Sequence, residues 1–230
     1  MQNIVVVDSS AIITMSSTCF INVFEKLKKD WNYRFVVPES VYYETVERPL
    51  EIPRFELNAV RVKHLFDNNV LEVAKKTTKL QKTSSEILRL ANSCFSSHGK
   101  FLKVLQKADA EVLALAKELN AKMVAVDERT ARMIIENPEA LRNIIEGRTH
   151  SSVELDKEQA YMLKENFKDI FFIRSAELLS YAFSSRMFDE IEFSKKALEA
   201  LLISAKLNGC GISFGEIDEF LSGWKNETKI

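Results

Sequence analysis

Two aspartates, Asp8 and Asp127, each follow a short and uniformly apolar run of residues, 4–7 and 123–126. A run without polar side chains predicts a strand that is buried on both faces, as in a parallel sheet covered by helices on both sides. Ligands of such sheets bind in the crevice at the carboxyl ends of the strands. Two carboxylates delivered to one crevice indicate a site for a hard divalent cation, which takes oxygen ligands.

Two further acids stand where helices are predicted to begin over the same crevice. Asp109 lies in the first turn of a strongly helical segment, residues 107–119, on a face that is otherwise apolar. Glu44 lies on a helix predicted at residues 39–47, directly after the second strand. A carboxylate on a core-facing stripe is unfavourable unless a cation or a donor meets it. Four acids gathered at one crevice would repel one another, and a bound Mg²⁺ or Mn²⁺ is the natural complement.

Each of these acids has a simpler explanation when it is taken alone. Asp109 could be a favourable acid at the positive end of a helix dipole, and Glu44 could be a solvated helix residue. Asp8 and Asp127 could each cap the helix that follows its strand. The joint pattern favours a shared cation site over four separate explanations.

The order of the predicted elements gives the fold class that positions the acids. Strand and helix alternate five times along the chain, which indicates an α/β protein. The predicted strands are residues 4–7, 34–37, 70–73, 123–126 and 169–173, and the helices between them are residues 16–29, 39–47, 55–67, 107–119 and 130–135.

Three stretches lie outside this alternation. Residues 75–107 form helices separated by a loop at residues 96–99, where small residues cluster. Residues 141–167 form a polar, mostly helical stretch that the pattern does not place. The tail holds two helices, 193–207 and 217–224, and a capping box is expected at the start of the second. Its partners would be Ser213 and Glu216.

The composition is that of a globular protein of the reducing cytoplasm. With 230 residues, of which 46% are hydrophobic, the chain is long enough for one sizeable core and a small appended subdomain. Its three cysteines are widely spaced and odd in number, which indicates neither a disulfide framework nor a zinc cluster. The start of the sequence lacks the pattern of a secretory signal and no window reaches the length of a membrane span, so neither secretion nor membrane association is expected.

Four blocks of the sequence resemble the PIN domain, a metal-dependent nuclease fold. They are residues 5–11, 37–44, 108–116 and 124–130, and they occur in the order of that family. The resemblance covers about residues 1–135. It implies a three-layer α/β/α fold with a central parallel sheet of about five strands in the order 3-2-1-4-5. A PIN-like nuclease domain is expected at residues 1–184, with a helical insertion at about 138–168, and a helical extension at 185–230 packed on it.

The resemblance also implies roles for particular residues. In that family, the acids that correspond to Asp8, Glu44, Asp109 and Asp127 hold one or two Mg²⁺ or Mn²⁺ ions. Small hydroxyl residues help to orient water or ligands in that family, and the matching residues here are Ser9 and Thr130. Some relatives carry a second acid in the block that contains Asp109, and the matching residue here is Glu111.

A basic segment precedes the Asp109 helix. Residues 75–107 hold one acid, Glu86, and eight basic residues. The segment could form one wall of the acidic crevice and hold the phosphates of RNA. A lysine-rich solvated helix face explains the same residues nearly as well. The basic residues are Lys75, Lys76, Lys79, Lys82, Arg89, Lys100, Lys103 and Lys107.

The function that these features predict is a Mg²⁺- or Mn²⁺-dependent endoribonuclease in which metal-activated water cleaves a phosphodiester. The resemblance implies products with 5′-phosphate and 3′-hydroxyl ends. The alternative is a PIN-like RNA-binding or scaffold protein of an RNA-processing assembly with little or no cleavage. A phosphatase or phospho-acceptor with Asp8 as nucleophile is disfavoured, because Ser10 stands where many such phosphatases need a second acid. RNA is the expected partner, while a homodimer, an antitoxin and an RNA-processing partner are left open.

Overall fold

Eight strands lie in two sheets within the part of the chain that this computed structural model describes, residues 3–18, 20–188 and 191–224. Numbered along the chain, they are β1 Asn3–Val7, β2 Tyr33–Pro38, β3 Leu71–Ala74, β4 Phe95–Ser97, β5 Lys100–Phe101, β6 Met123–Ala125, β7 Glu154–Leu155 and β8 Phe171–Ile173. Five form a parallel sheet in the order β3-β2-β1-β6-β8. The predicted order 3-2-1-4-5 is confirmed, because β6 and β8 are the fourth and fifth strands of this sheet. The other three form an antiparallel sheet in the order β5-β4-β7.

Helices cover both faces of the parallel sheet. They are α1 Ser9–Ser17, α2 Val23–Trp31, α3 Glu39–Tyr42, α4 Arg48–Leu50, α5 Pro53–Asp67, α6 Thr78–Ala91, α7 Lys107–Glu118, α8 Arg129–Glu136, α9 Pro138–Thr149, α10 Lys157–Asn166, α11 Ser175–Ser184, α12 Lys195–Leu207 and α13 Phe214–Gly223. A π-helical segment, Tyr43–Glu47, joins α3 to α4. Among the described helices, none is both long enough and apolar enough to cross a lipid bilayer.

Side chains of the sheet alternate between two helical layers, as the pleat of a strand requires. Val5, Met123 and Ile173 line a space under α2 and α11. Val124 and Phe172 face the other way and lie against α7. The central strands β1, β2 and β6 are therefore largely buried on both faces, and the predicted three-layer α/β/α class is confirmed.

The first helical region differs from its prediction. A single helix was expected at residues 16–29, but α1 starts at once after β1 and ends at Ser17, and α2 starts at Val23. Two hydroxyls at the end of α1 bond back to main-chain carbonyls, Ser16 Oγ to Ile13 and Thr18 Oγ1 to Met15. Such bonds compete with the helix and favour its end. The apolar spacing predicted α2 correctly and gave no signal for α1.

The region between the two halves of the sheet is also more ordered than predicted. The loop expected at residues 96–99 is a tight hairpin between β4 and β5. Its two turn residues, His98 and Gly99, have φ values of 50° and 73°, which suit the turn of a twisted hairpin. The unplaced stretch at residues 141–167 contains most of α9, then β7 and α10.

The tail matches its prediction in the described residues. α12 and α13 are present, and the Ser213–Glu216 capping box forms at the start of α13. Helix α11, which covers the end of the sheet beside β8, was not predicted. Of the predicted extension at residues 185–230, residues 189–190 and 225–230 lie outside the described part, as does Cys19. The division into a domain at 1–184 with an insertion at 138–168 stays a prediction.

Candidate functional site

Asp8 stands at the carboxyl end of β1, where it is the N-cap of α1 and is only 3% exposed. Its Oδ2 atom accepts hydrogen bonds from the Ser10 main-chain N–H at 2.9 Å and from the Ser10 hydroxyl. Its Oδ1 atom is buried and has no hydrogen-bond partner among the described residues. Burial raises the pKa of Asp8 against the opposing hydrogen bonds from Ser10 and from the Ser9 main chain, and the charge of Glu44 adds to the rise.

Asp109 lies in the first turn of α7, above the end of β1. Its Oδ2 atom accepts a hydrogen bond from the Gln106 main-chain N–H at 2.8 Å. Asp109 therefore does stabilise the N-terminus of α7, which was the simpler explanation for this acid. The pKa of Asp109 is raised to about 7, mainly by burial and in addition by the nearby charges of Asp8, Glu128 and Glu44, while the bond from Gln106 opposes the rise. Asp109 is therefore more than a helix cap, because it shares an electrostatic environment with three other acids.

Glu44 lies in the π-helical segment and completes this group from the side of β2. It faces an open cleft of about 520 Å³ between the segment and the start of α7. Glu111, which is buried, lines the same cleft one turn further along α7. Two lysines of the basic segment, Lys76 and Lys107, stand on its walls. The cleft therefore joins the acidic group to part of the predicted phosphate-binding surface.

Asp127 follows β6 but points to the opposite face of the sheet. Val126 faces α7, and the next residue of an extended chain points the other way. The Asp127 carboxylate, 1% exposed, accepts hydrogen bonds from the main-chain N–H and the hydroxyl of Ser175, both at 2.7 Å. Burial raises the pKa of the Cys210 thiol beside it, and the charge of Asp127 adds to the rise. Asp8, Glu44 and Asp109 are thus brought together, while the side chain of Asp127 is engaged elsewhere.

Residues 4–139 match a family model described as a PIN domain, which is more than half of the chain. The chain belongs to the PIN-domain family. No curated protein and no solved structure matches it. The matched region contains β1 to β6 and all four predicted acids, and it ends just after α8. PIN domains are generally nucleases, and they typically use divalent metals.

Two residues beside the acidic group, Ser10 and Glu128, were not predicted from the sequence. The Ser10 hydroxyl donates to Asp8 and accepts from the Asp127 main-chain N–H at 3.0 Å, so it links the ends of β1 and β6. Glu128 caps α8 by accepting from the Thr130 and Ala131 main-chain N–H groups. The cap of α8 is therefore Glu128 and not Asp127. Period-two alternation through Val124 and Val126 puts residue 128 on the Asp109 side of the sheet and was the available signal.

The remaining predicted residues of the PIN domain keep their assignments as predictions. Ser9 starts α1 and Thr130 lies in the first turn of α8, and neither hydroxyl has a hydrogen bond within the described residues. All seven lysines predicted to bind RNA are exposed, but only two of them line the cleft with Glu44. The lysines away from the cleft are Lys75, Lys79, Lys82, Lys100 and Lys103.

The donor set of the PIN domain fits a divalent cation in part. In the described ranges, no three His, Cys, Asp or Glu side chains stand close enough to form a ready metal-binding group. The buried and unpartnered Oδ1 atom of Asp8 is nevertheless an acceptor that lacks a positive partner. The pKa of Asp109 is about 7, because burial and nearby negative charges disfavour its ionised form. A hard cation with oxygen ligands would relieve both conditions.

Proposed function

We propose that the protein is an endoribonuclease that depends on Mg²⁺ or Mn²⁺ and that its site is built on Asp8, Glu44 and Asp109. The observation that carries the proposal is the buried Oδ1 atom of Asp8, which lacks a partner among the described residues. An unpaired buried carboxylate oxygen beside two further acids costs stability, and such a cost is expected where a cation completes the site. Its position at the carboxyl end of β1 in a PIN domain supports the same conclusion.

Asp8 and Asp109 are the residues that would hold the ion, with Glu44 completing the set from the cleft. A bound Mg²⁺ or Mn²⁺ polarises a phosphoryl oxygen and lowers the pKa of a water molecule, which is the chemistry that phosphodiester hydrolysis needs. Ser10 fixes the Oδ2 atom of Asp8 through two hydrogen bonds, so the Oδ1 atom keeps a defined direction. This preorganisation lets the carboxylate bind a cation without rearrangement.

We assign Asp127 a positioning role in this site. Its carboxylate is fully used by Ser175, and its main-chain N–H is held by Ser10. It thereby fixes the carboxyl end of β6 against α11 and against Ser10. To act as a ligand, as the family resemblance implies, its side chain would have to release Ser175 and turn to the other face of the sheet.

RNA is the substrate that the cleft favours. Lys76 and Lys107 stand on its walls and can neutralise phosphates on either side of the bond to be cleaved. The acids between them would repel a polyanion, so productive binding requires the cation and ties cleavage to metal. Water would attack the phosphorus atom, and the 3′ oxygen would leave, which gives a 5′-phosphate and a 3′-hydroxyl.

The proposal is tested with Asp8→Asn, Asp109→Asn and a control, Asp218→Asn, an exposed acid on α13. A mixed-sequence RNA is incubated with each protein in Mg²⁺, in Mn²⁺ and in chelator, and the product ends are labelled. We expect the wild type and the control to cleave only with metal, and both site variants to lose cleavage while staying folded by circular dichroism. Full metal-dependent cleavage by Asp109→Asn would overturn the proposal.

An RNA-binding or scaffold role without cleavage is the second candidate. It is favoured by the lack, in the described part of the chain, of three acids already within reach of one ion. The two functions separate cleanly in the same assay. A binding protein would hold RNA equally with metal and with chelator, and it would give no product.

A further inference from the structure

Tyr43 is a large aromatic side chain left open to solvent on the wall of the acidic cleft. It is 52% exposed. The preceding residue, Tyr42, is by contrast packed edge-on against Phe66, with ring centroids 4.9 Å apart and planes at 85°. Among the described residues, no aromatic ring and no cation packs against Tyr43. Of two adjacent tyrosines, one therefore serves the core and the other presents a free ring face.

The position of Tyr43 relates it to the proposed chemistry. It begins the π-helical segment and directly precedes Glu44. It lines the same cleft as Lys76 and Lys107. π-Helical turns are rare and occur frequently at functional sites. The ring thus lines the same cleft as Glu44 and two lysines that can bind phosphates.

We propose that Tyr43 is a stacking platform for an unpaired base of RNA next to the cleavage site. This inference rests on the proposed function and names the form of RNA that the site accepts. Bases of a duplex are covered on both faces by their neighbours, so only a base of a single strand or a loop can lie on the ring. Tyr43 would then select single-stranded segments, while Lys76 and Lys107 hold the phosphates of the same strand.

The surroundings of the ring favour a nucleic acid over a protein partner. A docking patch for a protein usually surrounds an aromatic residue with a desolvated apolar core. The cleft around Tyr43 is instead lined largely by charged side chains, with acids from the helix at residues 39–50 and lysines from two other segments. An aromatic ring combined with cations in a groove binds single strands without sequence preference, and in this acid-rich cleft the cations would be Lys76, Lys107 and the metal ion of the proposed function.

Stacking is measured directly with a short single-stranded oligoribonucleotide that carries 2-aminopurine, whose fluorescence falls when the base stacks. Binding is recorded by stopped flow in Mg²⁺, before cleavage, for the wild type, Tyr43→Phe and Tyr43→Ala. Tyr161→Ala is the matched control, since Tyr161 on α10 is 64% exposed and lines a different cleft. A duplex of the same sequence serves as the second substrate.

We expect Tyr43→Ala to bind the single strand roughly 5- to 150-fold more weakly and to lose the quenching, as a lost base–aromatic stack implies. Tyr43→Phe should bind within about two-fold of the wild type, because it keeps the ring. Tyr161→Ala should be unchanged. The preference of the wild type for the single strand over the duplex should shrink in Tyr43→Ala.

The outcomes distinguish this inference from the proposed function. If the wild type cleaves RNA with metal but Tyr43→Ala binds and quenches like the wild type, the platform is wrong while the nuclease stands. The same result would follow if Tyr43 served a protein contact. If the wild type neither binds nor cleaves any RNA, the proposed function fails and the platform fails with it.

Discussion

The two faces of the central sheet treat their buried aspartates in opposite ways. On the α11 face, Asp127 accepts two hydrogen bonds from Ser175, and its main-chain oxygen accepts from the Gly211 N–H at 3.1 Å. On the α7 face, Asp8 keeps one oxygen without a partner among the described residues, and Asp109 is crowded by like charges. Both carboxylate oxygens of Asp127 therefore accept hydrogen bonds, whereas in the described part of the chain Asp8 and Asp109 each accept them at Oδ2 alone.

This difference separates structural acids from functional acids. A buried carboxylate that is fully hydrogen-bonded stabilises the charged form and needs nothing further. One that is desolvated and short of donors costs free energy, and proteins accept such a cost mainly at sites that bind something. The α11 face is packed so tightly that a Cβ atom on Gly211 would lie 2.6 Å from the main-chain oxygen of Asp127. The α7 face instead borders the cleft that holds Glu44.

The largest contrast is expected between Asp109→Asn and Asp127→Asn. We expect Asp109→Asn to lower kcat for RNA cleavage by about 10³-fold or more, because it removes a ligand charge at the reaction centre. Its free energy of unfolding without metal should rise by about 1–2 kcal/mol at pH 8, because a half-buried charge crowded by other acids is gone. Single-turnover cleavage and urea unfolding measure the two quantities.

Asp127→Asn should show the reverse pattern. Loss of the charged acceptor weakens the contact with Ser175, so the free energy of unfolding should fall by about 1–3 kcal/mol. Cleavage per folded molecule should fall far less than in Asp109→Asn. If Asp127→Asn abolishes cleavage without a loss of stability, the aspartate acts as a ligand after all, and the comparison between the two faces breaks.

Ser175→Ala probes the α11 face without touching an acid. The variant removes the hydroxyl donor of Asp127 and leaves the main-chain donor in place. A buried carboxylate that loses one of two donors is destabilised, so we expect about 1–2 kcal/mol less stability in urea unfolding. Ser184→Ala, at the exposed end of the same helix, is the control and should change stability by less than about 0.5 kcal/mol. Equal stability of both variants would contradict the role given to the Asp127–Ser175 contact.

The fold could be predicted well because its signals are local. Apolar runs at β1 and β6, and the helix-forming composition of α7, are properties of short segments that survive in any context. The parallel order followed from the alternation of strands and helices. Elements such as α1 and β4 gave no such signal, since hydroxyl and apolar residues are mixed on the buried side of α1 and β4 is only three residues long.

The site could be predicted only in part, because the direction of a side chain depends on the pleat and on its partners. Asp8, Glu44 and Asp109 lie close enough for the charge of Glu44 to raise the pKa values of both aspartates, and their role as metal ligands stays a prediction. Asp127 was expected with them because it ends a similar run, but its position in the pleat turns it to Ser175, 48 residues away in sequence. A partner that distant cannot be read from the spacing of residues around Asp127. Ser10 was likewise visible only once β1 and β6 were paired.

The pH dependence of stability tests the α7 face alone. The pKa of Asp109 is about 7 in the folded protein and 3.8 as an ordinary carboxyl group. Between these values the folded protein holds a proton that the unfolded chain has lost, so stability falls as the pH rises from about 4 to about 7. We expect this slope in chelator for the wild type and a smaller one for Asp109→Asn, measured by urea unfolding at several pH values. If stability has the same pH dependence in the wild type and in Asp109→Asn, the pKa of Asp109 is not raised, and the nearby acids do not affect it.

The smallest effects are expected from the substitution of lysines, which tests whether RNA binding is confined to the cleft. Lys76 and Lys107 line it with Glu44, whereas Lys79 and Lys82 are exposed on α6 outside it. Replacing either of the first pair by alanine should lower the slope of log affinity against log salt by about 0.7, the value for one phosphate of a single strand. Lys79→Ala and Lys82→Ala should change that slope much less. If all four variants lower the slope equally, RNA binds along the whole α6 surface, and the acidic cleft is only part of a longer binding surface.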